Sequence, residues 1–234
     1  MTNPLHRVRC FKRPDNSSGP ASGRSWLDQW QTEFDQTSMH LPVLLQESLG
    51  HVMPLLMCGE QSAALVFNRE ANRDGDNHSA KLFNNIEAEE LIHDDALQSI
   101  YSNLPVSPRE AEVKRRAKRF YLAMGGGQCA ADELFARIQH LDSCVCVIMH
   151  CVENGNIGKH HPYAHIFRRI KQDEARHVAI SRRHLNWLGG NTQNADRTGR
   201  AIRASLIDLL RPEADHLEVL GVDLDLLEKR LLLT

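Results

Sequence analysis

The chain has 234 residues, 25% charged and 41% hydrophobic, with a formal net charge of −2. That length suits one medium-sized domain with a sizeable core, and the near-neutral balance argues against a general nucleic-acid binder. No apolar run approaches the ~20 residues needed to cross a bilayer, and residues 1–24 lack the apolar stretch of a signal peptide.

Strand signals are scarce and a 3.6-residue apolar periodicity recurs, so the sequence predicts an all-α fold. Residues 1–24, polar and rich in Pro, Ser, Gly and Arg, read as a flexible N-terminal arm. A short helix is expected over Ser25 to Phe34, where Trp26, Leu27, Trp30 and Phe34 share a face. The first long helix runs from Pro42 to Asn72, with a bend near Pro54, and ends at the turn signal Arg73-Asp74-Gly75-Asp76-Asn77. The second covers His78 to Asn103. Ser107-Pro108-Arg109-Glu110 then forms a capping box with proline at the first helical position, which predicts a helix to Met124. After Gly125-Gly126-Gly127, a third long helix spans Ala130 to Glu153, and a fourth spans Pro162 to Leu188. Residues 191–234 read as two or three short helices with breaks at Pro212 and Gly221, packing as an extension on a bundle made by residues 25–190.

The basic run Arg109 to Arg119 is the pattern of a solvated helix face. Cys10, Cys58, Cys129, Cys144, Cys146 and Cys151 include no Cys-x-x-Cys pair. They read as buried thiols of a reducing cytoplasm, so a cytoplasmic location is expected.

Chemistry is announced by Glu90-Leu91-Ile92-His93 and Glu174-Ala175-Arg176-His177. Three residues apart on a helix, each Glu and His share one face and converge on one point. This composition yields about one Glu-x-x-His by chance, and a third copy exists at Glu213 and His216, beside Pro212. Hairpin geometry separates them. Glu60 and Glu90 lie fifteen residues either side of Gly75, and Asp142 and Glu174 lie sixteen either side of Gly158. Each of these motifs therefore meets a carboxylate at matching height on the neighbouring helix, whereas Glu213 and His216 have no such counterpart. Glu153 competes with Asp142, but lies roughly 16 Å along the axis from that layer at ~1.5 Å per residue.

The apolar stripes agree. Val52, Leu56, Glu60, Ala63 and Phe67 align on the first helix, and Phe83, Ile86, Glu90, His93, Leu97 and Ile100 on the second. Phe135, Ile138, Asp142, Val145, Met149 and Val152 align on the third, and Ile166, Ile170, Glu174, His177, Ser181, His184 and Leu188 on the fourth. Four carboxylates and two imidazoles in apolar stripes carry excess negative charge that two divalent cations neutralise and structural pairing does not. The hard donors favour iron or manganese, including a mixed pair, over zinc. The expected metal ligands are Glu60, Glu90, His93, Asp142, Glu174 and His177. His184, on the same face as His177, reads either as a donor behind the ligands or as a satisfied core histidine. Ser62, Ala63 and Ala64 read equally as room for a small molecule and as close helix packing.

At these residues the chain resembles the ferritin-like di-metal carboxylate superfamily, whose pattern is one Glu from each of two helices and Glu-x-x-His from the other two. The resemblance covers Pro42 to Leu188, and Asp173-Glu174-Ala175-Arg176-His177 is similar to the fourth-helix motif of di-iron oxygenases. It implies a four-helix bundle with a long crossover holding an extra helix, two bound iron ions, and O2-dependent oxidation or hydroxylation of a small organic or carrier-bound metabolite. An external electron donor is implied as well. Asp142 departs from the usual Glu and implies a more open site. Oligomeric state stays open, homodimers through the first two helices being common in similar proteins. The radical tyrosine of ribonucleotide reductase small subunits is absent at Leu97, and the extra histidine of arylamine N-oxygenases is replaced by Ile170. The alternatives are a ferroxidase of ferritin type, a peroxide scavenger like manganese catalase, and a metal-free helical interaction protein.

Overall fold

The computed structural model describes residues 7–16, 25–34, 39–73, 77–125, 130–189 and 192–232. Among them it is all-helical, with no strand. The elements are α1 (Ser25–Glu33), α2 (Val43–Ala71), α3 (Asn77–Tyr101), α4 (Glu110–Gly125), α5 (Ala131–Asn154), α6 (Pro162–Trp187), α7 (Thr192–Leu210), a 3₁₀ turn (Arg211–Glu213), α8 (Ala214–Val219) and α9 (Leu224–Leu232). The chain divides into two compact units, Met1–Gly125 and Gly126–Thr234. That boundary falls within the single bundle expected over residues 25–190.

In the first unit, α2 packs against both α3 and α4. Covered on two sides, α2 is buried around most of its circumference, from Ser48 to Glu70. It runs through Pro54 without interruption. Glycine permits the approach of α4: a Cβ at Gly59 would stand 2.8 Å from the Tyr121 hydroxyl, and one at Gly125 would stand 2.6 Å from Val66. Apolar stripe residues Phe83, Ile86, Leu97 and Ile100 of α3 are all buried.

Ser107 supplies its part of the expected capping box. Its Oγ accepts from the Arg109 backbone N–H at 3.1 Å and meets His51 Nδ1 at 2.7 Å. The Glu110 carboxylate accepts from the Tyr101 hydroxyl at 2.7 Å and ties the end of α3 to the start of α4. The helix begins at Glu110 instead of Pro108.

Residues 7–13 depart from the expected free arm, the rest of which lies largely outside the described residues. They form an irregular strap across α2 and α3. Val8 N–H donates to Gln98 Oε1 at 3.1 Å and Cys10 N–H to Gln61 Oε1 at 2.8 Å, while both Gln61 and Gln98 amides donate to the Val8 carbonyl. Arg9 pairs with Asp94, and Arg13 with Asp95. A disulfide joins Cys10 to Cys58, whose Cα atoms lie 5.4 Å apart. The expectation of free thiols is thus corrected for this pair. Forty-eight residues separate the two cysteines, so no local spacing rule reveals them. Cys144, Cys146 and Cys151 are free, and Cys129 lies outside the described residues.

The second unit is built on the α5–α6 hairpin, with α7 against α5 and α9. Pro162 opens α6, and the His161 imidazole caps it by accepting from Tyr163 N–H at 3.2 Å. The expected short C-terminal helices are corrected at α7, which is a single helix of 19 residues. Gly199 lets it approach α5, since a Cβ there would stand 2.6 Å from the His140 ring. Pro212 and Gly221 interrupt the chain as expected, in the 3₁₀ turn and at φ +87°. At the hairpin tip, Asn156 N–H donates to the Leu220 carbonyl at 3.1 Å and its side chain to the Val219 carbonyl at 2.9 Å. Gly155 and Gly221 interlock there: a Cβ on Gly155 would lie 2.2 Å from the Leu220 oxygen. Among the described residues no helix is long and apolar enough to cross a membrane.

Candidate metal centre

In the first unit, Glu60 on α2 meets Glu90 and His93 on α3. All three are buried, with relative exposures of 5%, 2% and 1%. His93 Nδ1 lies 3.2 Å from Glu60 Oε2 and 3.8 Å from Glu90 Oε2. Each residue offers a ligand atom within 4.8 Å of the others. Even with His93 protonated, two carboxylates and one imidazolium sum to −1. Burying that excess is costly, and a divalent cation on the same oxygens and nitrogen removes the cost. This buried Glu/His group therefore has the donors to hold a metal ion.

The strap completes its surroundings. Asp94, next to His93, is fully buried and takes the Arg9 guanidinium, with hydrogen bonds at 2.9 Å from Gln61 and 3.0 Å from Gln98. Gln61 is the neighbour of Glu60. Hydrogen bonds thus grip the chain directly beside two members of the triad, and pattern reading missed them. Gln61, Asp94 and Gln98 each lie one position past a stripe residue (Glu60, His93 and Leu97), where periodicity gives no sign of them.

In the second unit, Asp142 on α5 and Glu174 and His177 on α6 are likewise buried. Glu174 Oε1 lies 3.8 Å from His177 Nδ1. The Cys146 thiol reports the local charge: burial first, then the Glu174 and Asp142 carboxylates, push it up to about 12. Cys144 rises to about 11, chiefly by burial. Neither thiol is poised as a nucleophile. Asp173, the neighbour of Glu174, is also buried and pairs with Arg176 at 2.9 Å and Arg169 at 3.2 Å.

Glu153, the competing carboxylate, is engaged elsewhere by Arg168 at 2.7 Å and by Lys171. Burial opposes its charge, yet hydrogen bonds from Lys171 and Arg168 prevail and hold the carboxyl below its usual range. His184 sits in an aromatic cluster, its ring 4.4 Å from that of Phe135 and 5.2 Å from that of Trp187. Ser62 and Ala64 are buried and Ala63 is half-buried. Glu213 of the third motif is buried in the 3₁₀ turn, at a helix break as its sequence position implied.

Comparisons with family profiles, curated proteins and solved structures give no match.

Proposed function

We propose that the Glu60/Glu90/His93 and Asp142/Glu174/His177 triads each supply half the ligands of a two-metal centre. On this reading the protein is a non-haem di-iron oxidase or oxygenase. The observation that carries it is the buried convergence of Glu60, Glu90 and His93. The resemblance of the whole donor pattern to di-iron carboxylate proteins supports the choice of iron. When bound, the metal pair would supply O2 activation for oxidation of a small organic or carrier-bound substrate, with electrons from an external donor.

The chain's own residues perform the remaining tasks. Glu60, Glu90, Asp142 and Glu174 bind the cations and neutralise them. His93 and His177 contribute one neutral nitrogen each, which requires them to be deprotonated on the ligating atom. Asp94 and Asp173 orient the two motif segments through their ion pairs. Apolar side chains of the stripes, including Leu97 and Ile170, both 0% exposed, exclude water around the donors.

The test is anaerobic Fe(II) loading of the full chain, followed by metal analysis and by optical spectroscopy before and after O2. About two iron per chain are expected, with near-ultraviolet charge-transfer absorption growing on exposure to O2. Glu90→Ala and His177→Ala should each reduce the iron bound while far-ultraviolet circular dichroism stays helical. A chain that binds no iron would sink the reading. Many iron atoms per chain would replace it with the ferroxidase alternative.

A further inference from the structure

The Cys10–Cys58 pair lies beside the first triad, and the function proposed above assigns it no part. Cys58 precedes Glu60 by two residues on α2, and Gln61, which grips the strap, follows Glu60 directly. On α3 the strap holds Asp94, the neighbour of His93. One covalent bond and a few polar contacts therefore fasten a short irregular segment to both helices that present the triad. Irregular segments of this kind open at much lower free energy than the helices beneath them. The disulfide closes a span of 48 residues, so its loss releases a long-range constraint. Lys12 and Asp15, just beyond Cys10, are well exposed at 81% and 78%, so the strap has an open edge from which to peel.

We propose that Cys10 and Cys58 form a reversible redox latch that governs the Glu60/Glu90/His93 cluster. As a disulfide, the pair pins residues 8–13 across α2 and α3 and holds the segments bearing Glu60 and His93. As two thiols, it lets the strap peel away and lowers the affinity of the cluster for a divalent cation. The effect on the cation rests on the metal reading above; the latch does not.

The reductant is a dithiol. Its first thiolate attacks the Cys10 sulfur, the more exposed of the two at 6% against 0%, and displaces Cys58 as a thiol. The second thiolate then closes on the mixed disulfide and releases Cys10 as a thiol. Two electrons pass from the dithiol to the protein disulfide, two protons end on Cys10 and Cys58, and the dithiol leaves as a cyclic disulfide.

Limited trypsin digestion of the oxidised and the dithiothreitol-reduced full chain, read by mass spectrometry, tests the latch. Cleavage at the Arg9–Cys10 bond should be about tenfold faster after reduction, because cleavage follows the population of the opened strap. Cys10→Ser should behave as the reduced chain under both conditions. Equal rates in the two redox states overturn the latch. Mn(II) titration, read by loss of the free-ion electron paramagnetic resonance signal after anaerobic removal of the reductant, tests the coupling. Affinity should fall about tenfold on reduction, the lower end of what loss of groups supporting metal ligands typically costs. Equal affinities overturn the control of the cluster. Absence of Mn(II) binding in both states, alongside a redox-dependent digestion rate, would remove the metal reading and leave the latch standing.

Discussion

On α3, the acid beside the motif histidine takes groups from far away in sequence as well as Gln98 of its own helix, whereas on α6 the acid beside the motif glutamate takes two arginines of its own helix. Asp94 takes Arg9 from 85 residues away and Gln61 from 33 away. Asp173 takes Arg169 and Arg176, one turn to either side. The triads differ in the same sense. Glu60 reaches across its hairpin to within 3.2 Å of His93, while Glu174 approaches His177 from the same helix at 3.8 Å. The strap thus adds long-range contacts beside the first triad, and arginine pairs one turn away stand beside the second.

The sharpest way to break this contrast is to remove the two supporting acids. Asp94→Ala strips a fully buried acid from Arg9 and from two glutamines, and should cost about 3–5 kcal/mol in urea unfolding. Asp173→Ala should cost only about 1 kcal/mol, because its arginines are 42% and 45% exposed and water takes over their solvation. Equal losses would show that local and long-range support are equivalent here.

Smaller in effect is Asp142→Glu, which gives this position the reach that Glu60 has. On the metal reading proposed above, Mn(II) binding should tighten about tenfold in the same paramagnetic titration, the scale on which a single group around a metal typically changes its affinity. An unchanged affinity would show that the length of Asp142 does not limit the site.

The smallest effect concerns Glu153. Its carboxyl is held below its ordinary value of 4.5, so the folded state favours the charged form. The stabilisation is present above that value and is lost as pH falls through the depressed folded value. It should amount to less than about 1 kcal/mol, because Arg168 is 38% exposed and solvent screens the pair. Comparing the acid limbs of the wild type and Glu153→Gln by thermal unfolding checks it; the variant should show a shallower loss of stability on acidification.

Much of this fold was legible in the sequence because long helices advertise themselves locally. Apolar spacing marked α3 and α6 to within a few residues, and their stripes are buried where expected, from Phe83 to Ile100 and from Ile166 to Ser181. On α2 and α5 some stripe members, Leu56 and Ala63, Ile138 and Val145, are only half-buried. A one-face reading omits the second partner that each of these helices has, α4 for α2 and α7 for α5. The convergence of Glu60 with Glu90 and His93 was legible from hairpin arithmetic. The strap was not, because Gln61, Gln98 and Asp94 gain their meaning only when residues 8–10 arrive from outside the local window. The disulfide escaped for the same reason. At the start of α4, the capping box was recognised, but the acceptor role of Glu110 towards Tyr101 was a tertiary choice.

The interlock of Gly155 with Gly221 gives the end of the chain a duty beyond packing. An antiparallel hairpin keeps its two rails aligned only if its tip stays still, and a one-turn slip would carry Asp142 some 5 Å past Glu174. Here the tip is bolted by the Leu220 and Val219 carbonyls, and no bulkier residue fits at Gly155 without pushing that bolt aside. The C-terminal segment is therefore a measuring stop: it sets where along α5 and α6 the two carboxylates come to rest.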